Sequence, residues 1–201
     1  GSRFSTTFSF LIDRLKKDFV CLSFAHLGCD KSEGNFEDYS LESRLEQAKF
    51  VLDYLKSLKL ASDINIVGAS MGGHVAARLS EKEDIKNLIL RAPASYSKEY
   101  EAHKMNPNPG WLPRNKEKKD WPWKPSYALN AITKFQGNLL IVKCEKDEII
   151  PDKIIDEYYR KAIKAKTKRI EILKGAKHYM SSQPKLLPKF LELIKESIHK
   201  S

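Results

Sequence analysis

Apolar positions recur along the chain with two alternating periods. Phe8, Leu11, Ile12 and Leu15 share one face of a helix over residues 5–17, and Phe19 to Ala25 is then a short apolar run bounded by polar residues, the pattern of a buried strand. Leu41, Leu45, Ala48, Leu52 and Leu55 predict a helix over about 40–58, and Ile64 to Val67 is the next strand. A helix from Met71 to about Ser80 leads to a strand from Asn87 to Arg91. Farther on, Asn138 to Glu145 reads as a strand before a helix N-capped by Asp152. Arg169 to Leu173 is the last strand, and Leu186, Leu187, Phe190, Leu191 and Ile194 stripe the last helix.

Strands that alternate with helices and read as continuous Val/Ile/Leu runs predict a mostly parallel sheet covered on both faces, a doubly wound α/β domain. The length of 201 residues fits one such domain over 1–201. Residues 94–135 break the rhythm, with Pro107, Pro109, Pro113, Pro122 and Pro125 among Trp111, Trp121, Trp123 and Tyr127. This is an insert or cap. Its tryptophans are either walls of a binding site or pins that hold a surface excursion to the body.

Hydrophobic residues at 41% and charged residues at 31% are those of a globular chain and exclude a disordered one. No apolar run approaches the roughly 20 residues of a membrane span, and the first residues lack a signal-peptide pattern. Cys21, Cys29 and Cys144 are too few and too irregularly spaced for a disulfide framework or a zinc site. No metal or cofactor is expected, and the expected compartment is the reducing cytoplasm. The formal charge of +10 raises nucleic acid as a partner. The lysines of 153–177 instead fall on the outer face of a predicted helix and the turn after it, without interleaved aromatics, so a solvated face is expected and nucleic acid is not.

Chemistry concentrates between the strand Ile64 to Val67 and the helix after it, where Gly68-Ala69-Ser70-Met71-Gly72-Gly73 is a G-x-S-x-G in a strand-turn-helix setting. The turn is expected to be so tight that side chains at 68 and 72 would collide, leaving the Ser70 hydroxyl on a strained tip. The following helix points its N-terminus at that tip, and the N–H of Met71 is a candidate oxyanion donor. A serine nucleophile needs a base, and the base an orienting acid. His178 follows the last predicted strand and Asp147 the one before, so a parallel sheet brings both to the edge that carries Ser70. The order Ser, Asp, His is that of G-x-S-x-G hydrolases. Glu148 is the alternative acid. His74 is expected beneath the nucleophile without an evident acid partner, and His26 in a turn near the same edge; His103 falls in the insert and His199 at the terminus.

From about residue 3 to its end the chain resembles the α/β-hydrolase family, and within it the branch of feruloyl and cinnamoyl esterases and the related serine aminopeptidases. Gly28-Cys29-Asp30-Lys31-Ser32-Glu33-Gly34, continued by Asn35-Phe36-Glu37-Asp38, is similar to the glycine-rich turn of that branch, with Asp30 in place of a usual glycine. The resemblance implies hydrolysis of a small-molecule ester or acyl substrate through an acyl-enzyme, with Ser70, His178 and Asp147 as the triad and Met71 in the oxyanion hole. Tyr179 and the three tryptophans are candidate substrate contacts. Thioesters and peptides use the same machinery, and a non-catalytic binding module is the other alternative. The family's second oxyanion donor follows a strand and a His-Gly loop that would lie upstream of Gly1. That strand belongs between Phe19 to Ala25 and Ile64 to Val67, so a gap in the sheet is expected there.

Overall fold

A computed structural model describes residues 6–105 and 124–199. Among these, four strands form one parallel sheet in the order β1 (Asn65–Ala69), β2 (Asn87–Arg91), β3 (Asn138–Cys144) and β4 (Thr167–Leu173). Six helices cover it: α1 (Thr6–Leu15), α2 (Leu41–Ser57), α3 (Met71–Leu79), α4 (Tyr127–Ala131), α5 (Asp152–Lys161) and α6 (Leu187–His199). One layer is α1 against α6, which rests on β2 and β4. The other is α3 on β1 and β2, flanked by α2 and α4, with α5 on β3 and β4. The sheet core is aliphatic: Leu88, Ile89, Leu90, Leu140, Ile141 and Val142 are fully buried.

Register is set at the amino ends of the strands by a row of side chains. Asn65, Asn87, Asn138 and Thr167 stand opposite one another. The Asn87 amide donates to Asn65 Oδ1 (2.7 Å), the Asn138 amide to Asn87 Oδ1 (3.2 Å), and the Thr167 hydroxyl to Asn138 Oδ1 (2.9 Å). A one-residue slip of any strand would break this row and leave buried amides unsatisfied. A strong local signal fixes the start of α2. Ser40 accepts the Ser43 N–H (3.1 Å) while the Ser43 hydroxyl accepts the Ser40 N–H (2.8 Å), a reciprocal cap for α2.

Two expectations are corrected. Asp152 does not cap α5: Pro151 occupies the N-cap position without a side-chain hydrogen bond, and Asp152 is the first helical residue, where its carboxylate pairs with Lys143 (3.0 Å). In the described flanks of the 94–135 segment, Ser95, Tyr96, Met105, Ala128, Leu129 and Ile132 are buried. Trp111, Trp121 and Trp123 lie outside the described residues. Finally, Phe19 to Ala25 is not a strand. It joins no ladder, and Val20 and Leu22 are exposed. An apolar run becomes a buried strand only where a neighbour takes its backbone groups, and here the neighbouring position is open. Among the described residues the outer edge of β1 is likewise unpaired, and both segments line an apolar cleft of about 750 Å³ with Phe8, Leu52 and Val75. The gap expected between the two segments is therefore present.

The turn at Gly28 to Asp38 adopts the conformation its glycines suggest. Gly28 has φ 73°, and a Cβ there would lie 2.5 Å from the Asn35 carbonyl oxygen. Asp30 takes φ 55°, a left-handed conformation that aspartate tolerates better than most side chains. No helix among the described residues is long and apolar enough to cross a membrane.

The asparagine row yields a stability prediction. Asn87→Ala should lower unfolding free energy by about 2 kcal/mol, because it strips partners from both neighbouring amides; urea denaturation followed by circular dichroism measures this, and an unchanged midpoint would show that the row does not hold the register.

Candidate active site

Because the strands are parallel, the segments that leave their carboxyl ends meet along one edge. Ser70 directly follows β1, Asp147 lies three residues past β3, and His178 lies in the loop after β4. Ser70 occupies φ 52°, ψ −122°, a conformation that costs a non-glycine residue on the order of 1–3 kcal/mol. Four backbone hydrogen bonds hold it. Its N–H donates to the Arg91 carbonyl (3.0 Å), and its own carbonyl accepts from Gly73 (2.9 Å), His74 (3.3 Å) and Ala94 (3.0 Å).

The glycines around this turn have unequal roles. A Cβ at Gly68 would lie 2.6 Å from the Gly72 carbonyl oxygen, and one at Gly73 2.8 Å from Pro93. At Gly72 it would meet nothing within 4 Å. The collision expected at both 68 and 72 therefore exists only at 68, and the second close approach has moved to 73.

The Ser70 hydroxyl is 2.9 Å from His178 Nε2, and His178 Nδ1 is 2.9 Å from Asp147 Oδ2. Asp147 Oδ1 accepts the N–H groups of Ile149 and Ile150, each at 2.8 Å. Burial alone would raise the Asp147 pKa; the hydrogen bond and charge of His178 and the two backbone donors outweigh it, so the carboxyl stays below its usual range. An ionised carboxylate only accepts. Nδ1 must therefore carry the imidazole proton, which leaves the Nε2 lone pair for the Ser70 hydroxyl. Met71 opens α3, so its N–H has no earlier helical carbonyl to bond and stands beside Ser70 at the positive end of the helix. This arrangement can take a proton from a hydroxyl and stabilise oxygen charge next to it.

The remaining sequence candidates divide clearly. Glu148 does not touch the imidazole, and its carboxylate instead accepts the His178 N–H (3.3 Å). Tyr179 is exposed and meets the His178 ring edge-on at 5.1 Å. His26 is held by Gln47 (3.1 Å), and burial together with the charge of Arg44 pushes its pKa down to about 4, so it is neutral at pH 7. His74 does have an acid partner, which sequence reasoning missed. Glu101, in the flank of the insert, accepts from His74 Nε2 (2.9 Å) and from Arg78 (2.6 Å) one turn later. A histidine and an arginine four apart on one helix face are the available signal; nothing local points to Glu101. Arg91 was missed too, although a charged residue closing an apolar strand is unusual. Among the described residues no cluster of potential metal ligands occurs.

The parallel sheet and the strand-turn-helix that carries Ser70 have the α/β-hydrolase fold. The ferulic acid complex of Est1E from Butyrivibrio proteoclasticus superposes with a TM-score of 0.67 at 20% identity, over 99% of this chain and 86% of that one. Monoacylglycerol lipase from Paleococcus ferrophilus gives 0.68 at 18%, over 98% and 92%, and the esterase of Exiguobacterium antarcticum 0.67 at 15%, over 95% and 87%. Such likeness establishes the fold. The chain belongs to UPF0227, an uncharacterised protein family, whose pattern matches residues 32–182. Among curated proteins none matches significantly.

Two predictions come from this geometry. Gly73→Ala should lower stability by about 2 kcal/mol through the clash with Pro93, whereas Gly72→Ala should leave the melting temperature unchanged or raise it, since alanine favours the helix and has room; equal losses in thermal unfolding would contradict the assignment. For Asp147, a folded-state pKa below the unfolded one means that its contribution to stability is complete above the ordinary aspartate range, about pH 4, and is lost as pH falls through the lower folded value. The stability difference between wild type and Asp147→Asn should be constant from pH 7 to 5 and shrink toward pH 2 in urea titrations; a difference that grows on acidification is the opposite outcome.

Proposed function

We propose that the chain is a serine hydrolase that cleaves a carboxylic ester through an acyl-enzyme. The observation that carries this reading is the continuous hydrogen-bonded chain from Ser70 through His178 to Asp147. The Ser70 oxygen attacks the ester carbonyl as His178 Nε2 takes its proton, and the Met71 N–H stabilises the oxyanion. His178 returns that proton to the departing alkoxide, leaving the acyl group on Ser70. Water, deprotonated by the same nitrogen, then releases the acid and restores the serine. Asp147 holds the tautomer and balances the imidazolium charge.

Esterases and lipases among the similar structures support hydrolysis as the class of reaction. A small-molecule ester is the proposed substrate, with Tyr179 beside the base and Trp111, Trp121 and Trp123 as proposed contacts for an apolar or aromatic acyl group. Thioesters and peptides are accessible to the same groups. The free thiols of Cys21, Cys29 and Cys144 suit the cytoplasm, the compartment we propose.

A fluorophosphonate probe should label wild type and fail to label Ser70→Ala, and His178→Ala and Asp147→Asn should each lower kcat on p-nitrophenyl esters by a factor on the order of 10⁴ or more. Equal labelling of wild type and Ser70→Ala would remove the nucleophile assignment, and absence of labelling and turnover in wild type would favour a binding module.

A further inference from the structure

Arg91 is the last residue of β2, between the strand that delivers Ser70 and the strand that delivers Asp147. Its two ends reach the two reacting groups. The main-chain carbonyl accepts the Ser70 N–H (3.0 Å), and one guanidinium nitrogen donates to the His178 carbonyl (2.9 Å) and lies 3.4 Å from the Cys144 sulfur. The side chain is 7% exposed, and its Nε has no hydrogen-bond partner. Among the described residues its bonds therefore go to a carbonyl and a thiol, neither of which neutralises it.

A buried cation without a carboxylate is expensive, and an apolar side chain of similar volume would stabilise this position better. What such a side chain would lose is the bond to the His178 main chain. The loop that bears His178 has other ties: Glu145 accepts the Gly175 N–H (2.7 Å), Gln183 accepts the Lys177 N–H (2.7 Å), and Glu148 accepts the His178 N–H at a long 3.3 Å. The first two lie upstream of the histidine. Arg91 is the strong tie to its own peptide, and it comes from the residue that also fixes the nucleophile.

We propose that Arg91 is a positioning residue that sets the separation of Ser70 and His178 by clamping the main chain of both. The proposal rests on the hydrolase reading for its catalytic consequence, while the clamp itself is open to a measurement without turnover. A base displaced by a fraction of an ångström loses rate without weakening substrate binding.

The test compares Arg91→Met, which fills the space without donors, with Arg91→Lys, which restores a cationic donor. Expected for Arg91→Met are a fall of about 10- to 100-fold in fluorophosphonate labelling of Ser70 and in kcat on p-nitrophenyl acetate, with KM changed less than about twofold, and partial rescue by Arg91→Lys. The far-downfield proton resonance of His178 Nδ1–H, identified by its loss in His178→Ala, should broaden or shift in Arg91→Met and return in Arg91→Lys. Labelling by Arg91→Met at the wild-type rate overturns the proposal, as does an equal rise in KM. If Arg91→Met does not unfold cooperatively, Arg91→Leu, which also lacks a donor, is judged by the same criteria. If wild type is not labelled, the hydrolase reading fails by itself, and the resonance still decides the clamp: an unchanged signal in Arg91→Met refutes it.

Discussion

The parallel register of the four strands is the constraint on which the rest of the molecule depends. Parallel ladders send every chain segment that leaves a carboxyl end to the same edge, and only this brings Ser70, Asp147 and His178 together from three separate loops. The register is held at the opposite edge by the Asn65, Asn87, Asn138 and Thr167 row. The polar row at one end and the hydrogen-bonded Ser70, His178 and Asp147 at the other are linked through an aliphatic interior that permits no slip.

Strain at Ser70 is sustained by that scaffold. Its unfavourable backbone angles persist because each polar group of the residue is taken by a neighbour: Arg91 from β2, Gly73 and His74 from α3, and Ala94 from the start of the insert. The insert flank is thus part of the support of Ser70. Glu101 reinforces it by joining His74 and Arg78 of α3, while its carbonyl accepts the N–H of Glu42 at the head of α2 (3.0 Å). Buried charges here tie elements together at positions where apolar packing alone would leave orientation free.

On the β2 side, β1 has a full ladder, and on the other an apolar cleft shared with Phe19 to Ala25. A run of residues with strand composition stays outside any ladder when the adjacent backbone position is open, because pairing is a property of two segments and composition of one.

The sequence by itself determined the α/β alternation, most element positions and the expected gap, and it placed Ser70, His178 and the pair Asp147 and Glu148 just past apolar runs. Each of these rests on local signals, such as periodicity, the glycines beside Ser70, or a polar residue just past an apolar run. Asn87 to Arg91 was legible to the residue, since a short apolar run bounded by polar groups has few alternatives. Only the tertiary structure decided which glycine is sterically required, that Glu101 partners His74, that Asp147 rather than Glu148 meets the imidazole, and that Arg91 reaches the His178 carbonyl. These are contacts between residues far apart in the chain, and the free energy that selects them arises only when the strands have already placed both partners within hydrogen-bonding distance.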